Sequence, residues 1–139
     1  MAVSSHRILF VEDDKPVRDL VEEVLLDEGF AVDAVATIGA ALALLAANNY
    51  DLVLTDGRLP DGTGYSVAHA ASAKDIKVLV YTAYGLEFSN NERASYPVLA
   101  KPVRISELLL VIRHFLGTNL VPAKKPMSPS VGGAVIFDA

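Results

Sequence analysis

Four short apolar runs in this chain each stop at a polar group. Glu12, Asp13 and Asp14 follow Ile8-Leu9-Phe10-Val11, and Asp56 follows Leu52-Val53-Leu54-Thr55. Thr82, with Ala83 beside it, follows Val78-Leu79-Val80-Tyr81, and Lys101, with Pro102 beside it, follows Val98-Leu99-Ala100. Continuous aliphatic and β-branched runs of this length read as strands buried on both faces, the hallmark of a parallel sheet. In an open parallel sheet all strands end on one edge, and ligands bind in the crevice there. The four runs therefore predict one site that gathers three or four carboxylates, a hydroxyl and an ammonium. That combination suits a divalent cation and a phosphoryl group.

The segments between these runs read as helices. Asp14 stands two positions before Pro16, and Pro favours the first helical turn. Val17, Leu20, Val21, Val24 and Leu25 follow at helical spacing, with Gly29 as the stop. A second strand covers Ala31–Val35. Thr37 caps a helix running to residue 47, which Asn48 and Asn49 end. The third strand covers 51–55, and the loop 56–64 carries too much Gly and Pro to be regular. A short helix at Tyr65–Ser72, a strand at 77–81, a strand at Val98–Ala100 and a helix at 104–116 complete the series. The last helix has Ile105, Leu108, Leu109, Ile112 and Leu116 on one side. This is a βα unit repeated five times, an α/β domain with helices on both faces of the sheet. The helix expected between 85 and 97 is weak, because Ser89, Asn90, Asn91, Ser95 and Pro97 interrupt it.

Length and composition exclude several classes. At 139 residues the chain holds one domain, here 1–116, with a Pro/Gly-rich tail at 117–139 that is either mobile or a docking segment. The apolar fraction of 52% is enough for a full core. Twelve basic against 17 acidic side chains give a charge of −5, which argues against a nucleic-acid partner. There is no Cys, hence no thiolate chemistry. No stretch approaches the roughly 20 apolar residues of a membrane span, and no signal peptide is visible, so a cytoplasmic protein is expected.

These residues resemble the receiver domain of two-component response regulators, from Arg7 to about Leu116. In that family an acidic pair ends the first strand, here Glu12 and Asp13. A phosphoacceptor Asp ends the third, here Asp56 within Asp56-Gly57-Arg58-Leu59-Pro60. A Thr followed by a small residue ends the fourth, here Thr82 and Ala83. A Lys before Pro ends the fifth, here Lys101. The resemblance implies a flavodoxin-like doubly wound sheet of five parallel strands in the order 2-1-3-4-5. It also implies Mg²⁺ held by Glu12, Asp13, Asp56 and the Arg58 backbone carbonyl. Asp13 and Asp56 would bind directly and Glu12 through water, since Mg²⁺ favours carboxylates, carbonyls and water. Asp56 would accept the phosphoryl group as an acyl phosphate. Thr82, Lys101 and the backbone N–H groups of Gly57 and Ala83 would hold its oxygens.

The same resemblance names a sensor histidine kinase or histidine phosphotransfer protein as donor and a protein as downstream partner, with the domain a monomer or weak homodimer. It predicts no enzyme in the ordinary sense, but a signalling protein that assists its own phosphorylation and dephosphorylation. With only a tail after residue 116, the expectation is a stand-alone receiver acting as shuttle, sink or adaptor. Two features depart from the family. The aromatic usually found three positions before the Lys is Val98 here, and only 19 positions separate Thr82 from Lys101. In both, the chain resembles stand-alone receivers with a short fourth helix, and signalling by ordering of residues 84–97 is expected.

Alternatives fit less well. A haloacid-dehalogenase phosphatase needs an Asp two positions after the nucleophile, where Arg58 stands. An FMN binder needs a Ser/Thr/Gly loop where Glu12-Asp13-Asp14 would repel phosphate. A degenerate receiver that only binds partners does not need the full set Asp13, Asp56, Thr82 and Lys101.

Overall fold

The computed structural model describes residues 6–82, 96–101 and 104–117. Among these, the strands are β1 (Arg7–Val11), β2 (Ala31–Val35), β3 (Leu52–Asp56), β4 (Arg58–Leu59), β5 (Gly62–Thr63), β6 (Lys77–Thr82) and β7 (Val98–Ala100). The helices are α1 (Lys15–Asp27), α2 (Ile38–Ala47), α3 (Tyr65–Ser72) and α4 (Ile105–Leu116). The long strands form one parallel sheet in the order β2-β1-β3-β6-β7. Setting aside the two-residue strands β4 and β5, this is the expected 2-1-3-4-5 order. Ala83, residues 85–95 of the weak helix expected at 85–97, most of the segment 84–97 expected to order on signalling, and the tail from residue 118 onward lie outside the described residues.

The strands are apolar on both faces because each face carries its own core. Leu9, Val11, Val53, Val78 and Val80 pack with Ile38, Ala41 and Leu45 of α2 and with Val67, Ala68 and Ala71 of α3. Ile8, Phe10, Leu52, Leu54, Leu79 and Tyr81 pack with Val21 and Leu25 of α1 and with Leu108 and Ile112 of α4. Successive strand residues thus alternate between the two cores, as strand geometry requires.

Local signals place the helix ends. Asp14 caps α1 by accepting from the Val17 N–H at 3.2 Å, and Gly29 follows with φ 97°. Thr37 caps α2 by accepting from the Ala40 N–H at 3.1 Å. A second cap comes from across the fold. The Asp61 carboxylate accepts from the Ile38 and Gly39 N–H groups at 2.9 and 3.1 Å, which holds its carboxyl below the usual range. The loop after Asp56 is tied to α2 in this way.

The segment 56–64, expected to be irregular, contains the antiparallel pair β4 and β5. Gly62, at φ 142°, makes the turn between them possible. Gly64 is required for a different reason. A Cβ there would fall 1.9 Å from the Asp56 carbonyl oxygen and 2.8 Å from Thr55 Oγ1. Gly64→Ala forces the end of β3 and the start of α3 apart. We expect it to destabilise the domain by at least about 2 kcal/mol, measured as a shift in the urea midpoint. An unchanged midpoint would show that this close approach relaxes freely.

Candidate functional site

Strand register brings the polar ends together. Val11 pairs with Thr55, so Glu12 and Asp13 leave β1 beside the end of β3. Asp56 pairs with Tyr81 and Thr82 with Ala100, so Lys101 leaves β7 beside the end of β6. Asp56 is the last residue of β3 and Thr82 the last of β6, one position later in each strand than the sequence indicated. The backbone closes the edge around them: Glu12 N–H donates to the Val35 carbonyl at 2.9 Å, Gly57 N–H to Tyr81 at 3.2 Å and Lys101 N–H to Thr82 at 3.1 Å.

The Lys101 ammonium stands between two buried carboxylates. It lies 3.2 Å from Asp56 Oδ2 and 3.3 Å from Glu12 Oε1, with side-chain exposures of 1%, 8% and 0% for Lys101, Asp56 and Glu12. Burial pushes the carboxyls of both Glu12 and Asp56 above their ordinary values. Lys101 opposes that shift at both, while the mutual repulsion of the carboxylates adds to it. Asp56 Oδ1 accepts from the Arg58 N–H at 3.2 Å. Glu12 Oε2 accepts from the Asp14 N–H at 3.0 Å, and Arg18 donates to the Glu12 carbonyl at 2.8 Å. Thr82 packs against Gly57: a Cβ on Gly57 would fall 2.7 Å from Thr82 Cβ and 2.8 Å from its Oγ1. The hydroxyl therefore sits next to the residue that follows Asp56, and Gly57 is needed for that approach.

Asp13, by contrast, is exposed. One oxygen from each of Glu12, Asp13 and Asp56 lies within 4.8 Å of the others. Oxygens on one octahedral Mg²⁺ stand roughly 3–4 Å apart, given bonds of about 2.1 Å. The three carboxylates are thus close enough together that they could serve one ion, directly or through water. The donor set is all hard oxygen, which fits Mg²⁺ or Ca²⁺ and not a soft metal. Three carboxylates against one ammonium also leave the site at a net charge of about −2 when all are ionised.

The chain matches the family model of the response regulator receiver domain over residues 8–113. It belongs to the response regulator receiver domain family. The chain is 34% identical over 119 residues to the response regulator protein FleR of Pseudomonas aeruginosa, a match covering 80% of this chain and 25% of that protein. It is 28% identical to the probable transcriptional regulator ycf29 of Pyropia yezoensis, covering 84% of this chain and 56% of that protein. The receiver thus spans from about a quarter to about half the length of these curated relatives. Among solved structures, the response regulator TrrA of Thermotoga maritima in complex with Mg(2+)-BeF superposes with a TM-score of 0.72 at 31% identity, over 80% of this chain and 99% of that one. A receiver domain of a sensor histidine kinase from Pseudomonas aeruginosa PAO1, with magnesium in its active site cleft, gives 0.72 at 27% identity, over 82% of this chain and 99% of that one.

Of the residues singled out in the sequence, Glu12, Asp13, Asp56, Gly57, Arg58, Thr82 and Lys101 converge on this receiver's sheet edge. Sequence reasoning missed Tyr81. Its hydroxyl donates to Glu12 Oε1 and its ring lies 4.6 Å from Lys101 Nζ. The only signal for it in the sequence was an aromatic residue directly before Thr82.

The raised carboxyls have a consequence for stability. Each binds its proton more tightly in the folded than in the unfolded chain. Without a divalent cation their contribution therefore falls as pH rises from about 4 through the raised folded values. Asp56→Asn removes one of them. It should melt several degrees above the wild type at pH 7 without Mg²⁺, and the gap should close towards pH about 4. Added Mg²⁺ should narrow the gap at pH 7 by stabilising the wild type through binding. Calorimetry across pH checks both; a gap that ignores pH and Mg²⁺ would place the cost elsewhere.

Proposed function

We propose that this receiver takes a phosphoryl group from a phosphohistidine onto Asp56 in a Mg²⁺-dependent reaction, and passes the change to a protein partner. The observation that carries this reading is the buried contact of Asp56 with Lys101 inside a cluster of three carboxylates, with Thr82 alongside. A carboxylate that is half neutralised and desolvated, with a cation and a hydroxyl aimed at the same edge, is suited to receive a phosphoryl group. The relative in complex with Mg(2+)-BeF and the relative with magnesium in its active site cleft support it.

A bound Mg²⁺ would neutralise the carboxylates and the phosphoryl oxygens. The remaining work falls to the chain. A carboxylate oxygen of Asp56 forms a bond to phosphorus while the P–N bond of the donor breaks. The bonding pair leaves with the nitrogen of an already protonated imidazole ring. Phosphoryl transfer needs positioning and charge stabilisation more than covalent help. Lys101 turns from Glu12 to a phosphoryl oxygen, Thr82 donates to a second, and the Gly57 and Ala83 N–H groups offer further contacts. The Arg58 N–H, already aimed at the Asp56 carboxylate, holds it in place during attack. Glu12, Asp13, Asp56 and the Arg58 carbonyl would hold the ion.

The donor in this reading is a sensor histidine kinase or a histidine phosphotransfer protein in the cytoplasm. Among the described residues no helix is long and apolar enough to cross a membrane. The output is a changed surface for a protein partner.

Two substitutions test the assignment. Asp56→Asn keeps the size and removes the nucleophile, so incorporation of phosphate from a small acyl phosphate with Mg²⁺ should drop below about 1% of wild type. Incorporation at the wild-type level would refute Asp56 as acceptor. Lys101→Ala should still bind Mg²⁺, but its phosphorylation should slow by roughly 10²-fold, the usual cost of losing one charge-stabilising group. Undiminished phosphorylation would remove Lys101 from the chemistry.

A further inference from the structure

We propose that Tyr81 is a positioning residue for the cation site, holding Glu12 in place when Lys101 lets go of it. The proposal rests on the Mg²⁺-dependent reading above. Tyr81 lies directly across from Asp56 in the register of β3 and β6. It shares a core, and so a sheet face, with Phe10 and Leu54, the strand residues two positions before Glu12 and Asp56. Strands are about 4.8 Å apart, so β6 and β1, with β3 between them, are separated by about 10 Å. A long side chain with a terminal donor spans that gap, and the Tyr81 hydroxyl reaches Glu12 Oε1 across it.

The hydrogen bonds of Glu12 give this contact its meaning. A carboxylate offers about four acceptor positions. Oε1 accepts both the Tyr81 hydroxyl and the Lys101 ammonium, while Oε2 accepts the Asp14 N–H. Among the described residues three positions are filled, two on Oε1 and one on Oε2, which leaves Oε2 the less occupied oxygen. Glu12 therefore meets a cation, or its bound water, through Oε2, while Oε1 is its anchor. When Lys101 turns to a phosphoryl group, Tyr81 is the side-chain donor left on that anchor. A wholly buried carboxylate that loses its donors pays the full cost of desolvation. Tyr81 is itself held firmly: it is fully buried and its ring stacks on Phe10 at 6.2 Å between centroids. Its ring also carries the Lys101 ammonium at 4.6 Å. One side chain thus touches the groups that handle the cation and the group that handles the phosphoryl oxygens. Phe at this position would keep the stacking and the cation contact and lose only the anchor.

The test is a titration of Mg²⁺ alone into wild type and Tyr81→Phe, followed by phosphorylation with acetyl phosphate at saturating Mg²⁺. The expected result is a Mg²⁺ dissociation constant about tenfold higher in the variant, the cost of losing a partner that orients a metal ligand. The phosphorylation rate at saturating Mg²⁺ should stay within a factor of about three of wild type, because the loss is one of binding. Equal dissociation constants would overturn the proposal and leave the function standing. A rate loss that persists at saturating Mg²⁺ would also overturn it, by assigning Tyr81 to the chemistry or the fold. A wild type that takes up no Mg²⁺ would bring down the Mg²⁺-dependent reading itself. Should the variant not fold, tyrosine ¹³Cζ resonances of the wild type decide. The Tyr81 signal, identified by its displacement in Glu12→Gln, should move on addition of Mg²⁺ as Glu12 engages the ion through Oε2 while Oε1 keeps the Tyr81 hydroxyl. A Tyr81 signal indifferent to Mg²⁺ would overturn the proposal.

Discussion

One buried ammonium organises this molecule. Glu12 and Asp56 are carboxylates on neighbouring strands, withdrawn from water, and each would be costly to ionise alone. Lys101 lies 3.3 Å from one and 3.2 Å from the other, and that contact lets three strand ends meet. A buried ion pair is weak support for a fold, because desolvation offsets most of its attraction. Here the balance is poorer still, since the carboxylates outnumber the ammonium. The sheet and its two cores have to hold the site together against this repulsion. That explains why the strands leading into it are packed without exposed surface at Ile8 to Val11 and at Leu52 to Leu54.

The unfavourable charge balance is also what makes the site useful. In the proposed reading, an edge with excess negative charge and hard oxygen donors would take up a divalent cation, and the cation would supply the charge that Lys101 does not. With the carboxylates so neutralised, Lys101 would serve a phosphoryl group instead. A site stabilised to its optimum by a second cationic residue would have no such capacity. Strain of this kind at a functional edge, carried by a well-packed scaffold, is expected where stability and function compete.

Most of this was legible in the sequence because it depends on local order. The strand runs, the Asp14 and Thr37 caps and the Gly29 stop each act within a few residues, and the alternation of strands and helices fixes which ends share an edge. Three things were not legible, and each depends on long-range geometry. Tyr81 contributes through its register opposite Asp56 and its reach to Glu12, 69 positions away in the chain. Asp61 caps α2 from 22 and 23 positions away, where local reading credits Thr37 alone. The pair β4 and β5 is only two residues per strand, too short to show a period, in a segment whose Gly and Pro content reads as loop.

In the proposed function Glu12, Asp13, Asp56, Thr82 and Lys101 act as one site for Mg²⁺ and a phosphoryl group. Heteronuclear NMR of the whole chain tests it most directly, with Mg²⁺ added first and beryllofluoride, a mimic of the phosphoryl group, added second. Mg²⁺ should shift the amides of residues 12–14 and 56–58, and beryllofluoride should then shift Thr82 and Lys101 only when Mg²⁺ is present. Spectra indifferent to both additions would contradict it and leave a receiver fold that serves only to bind partners.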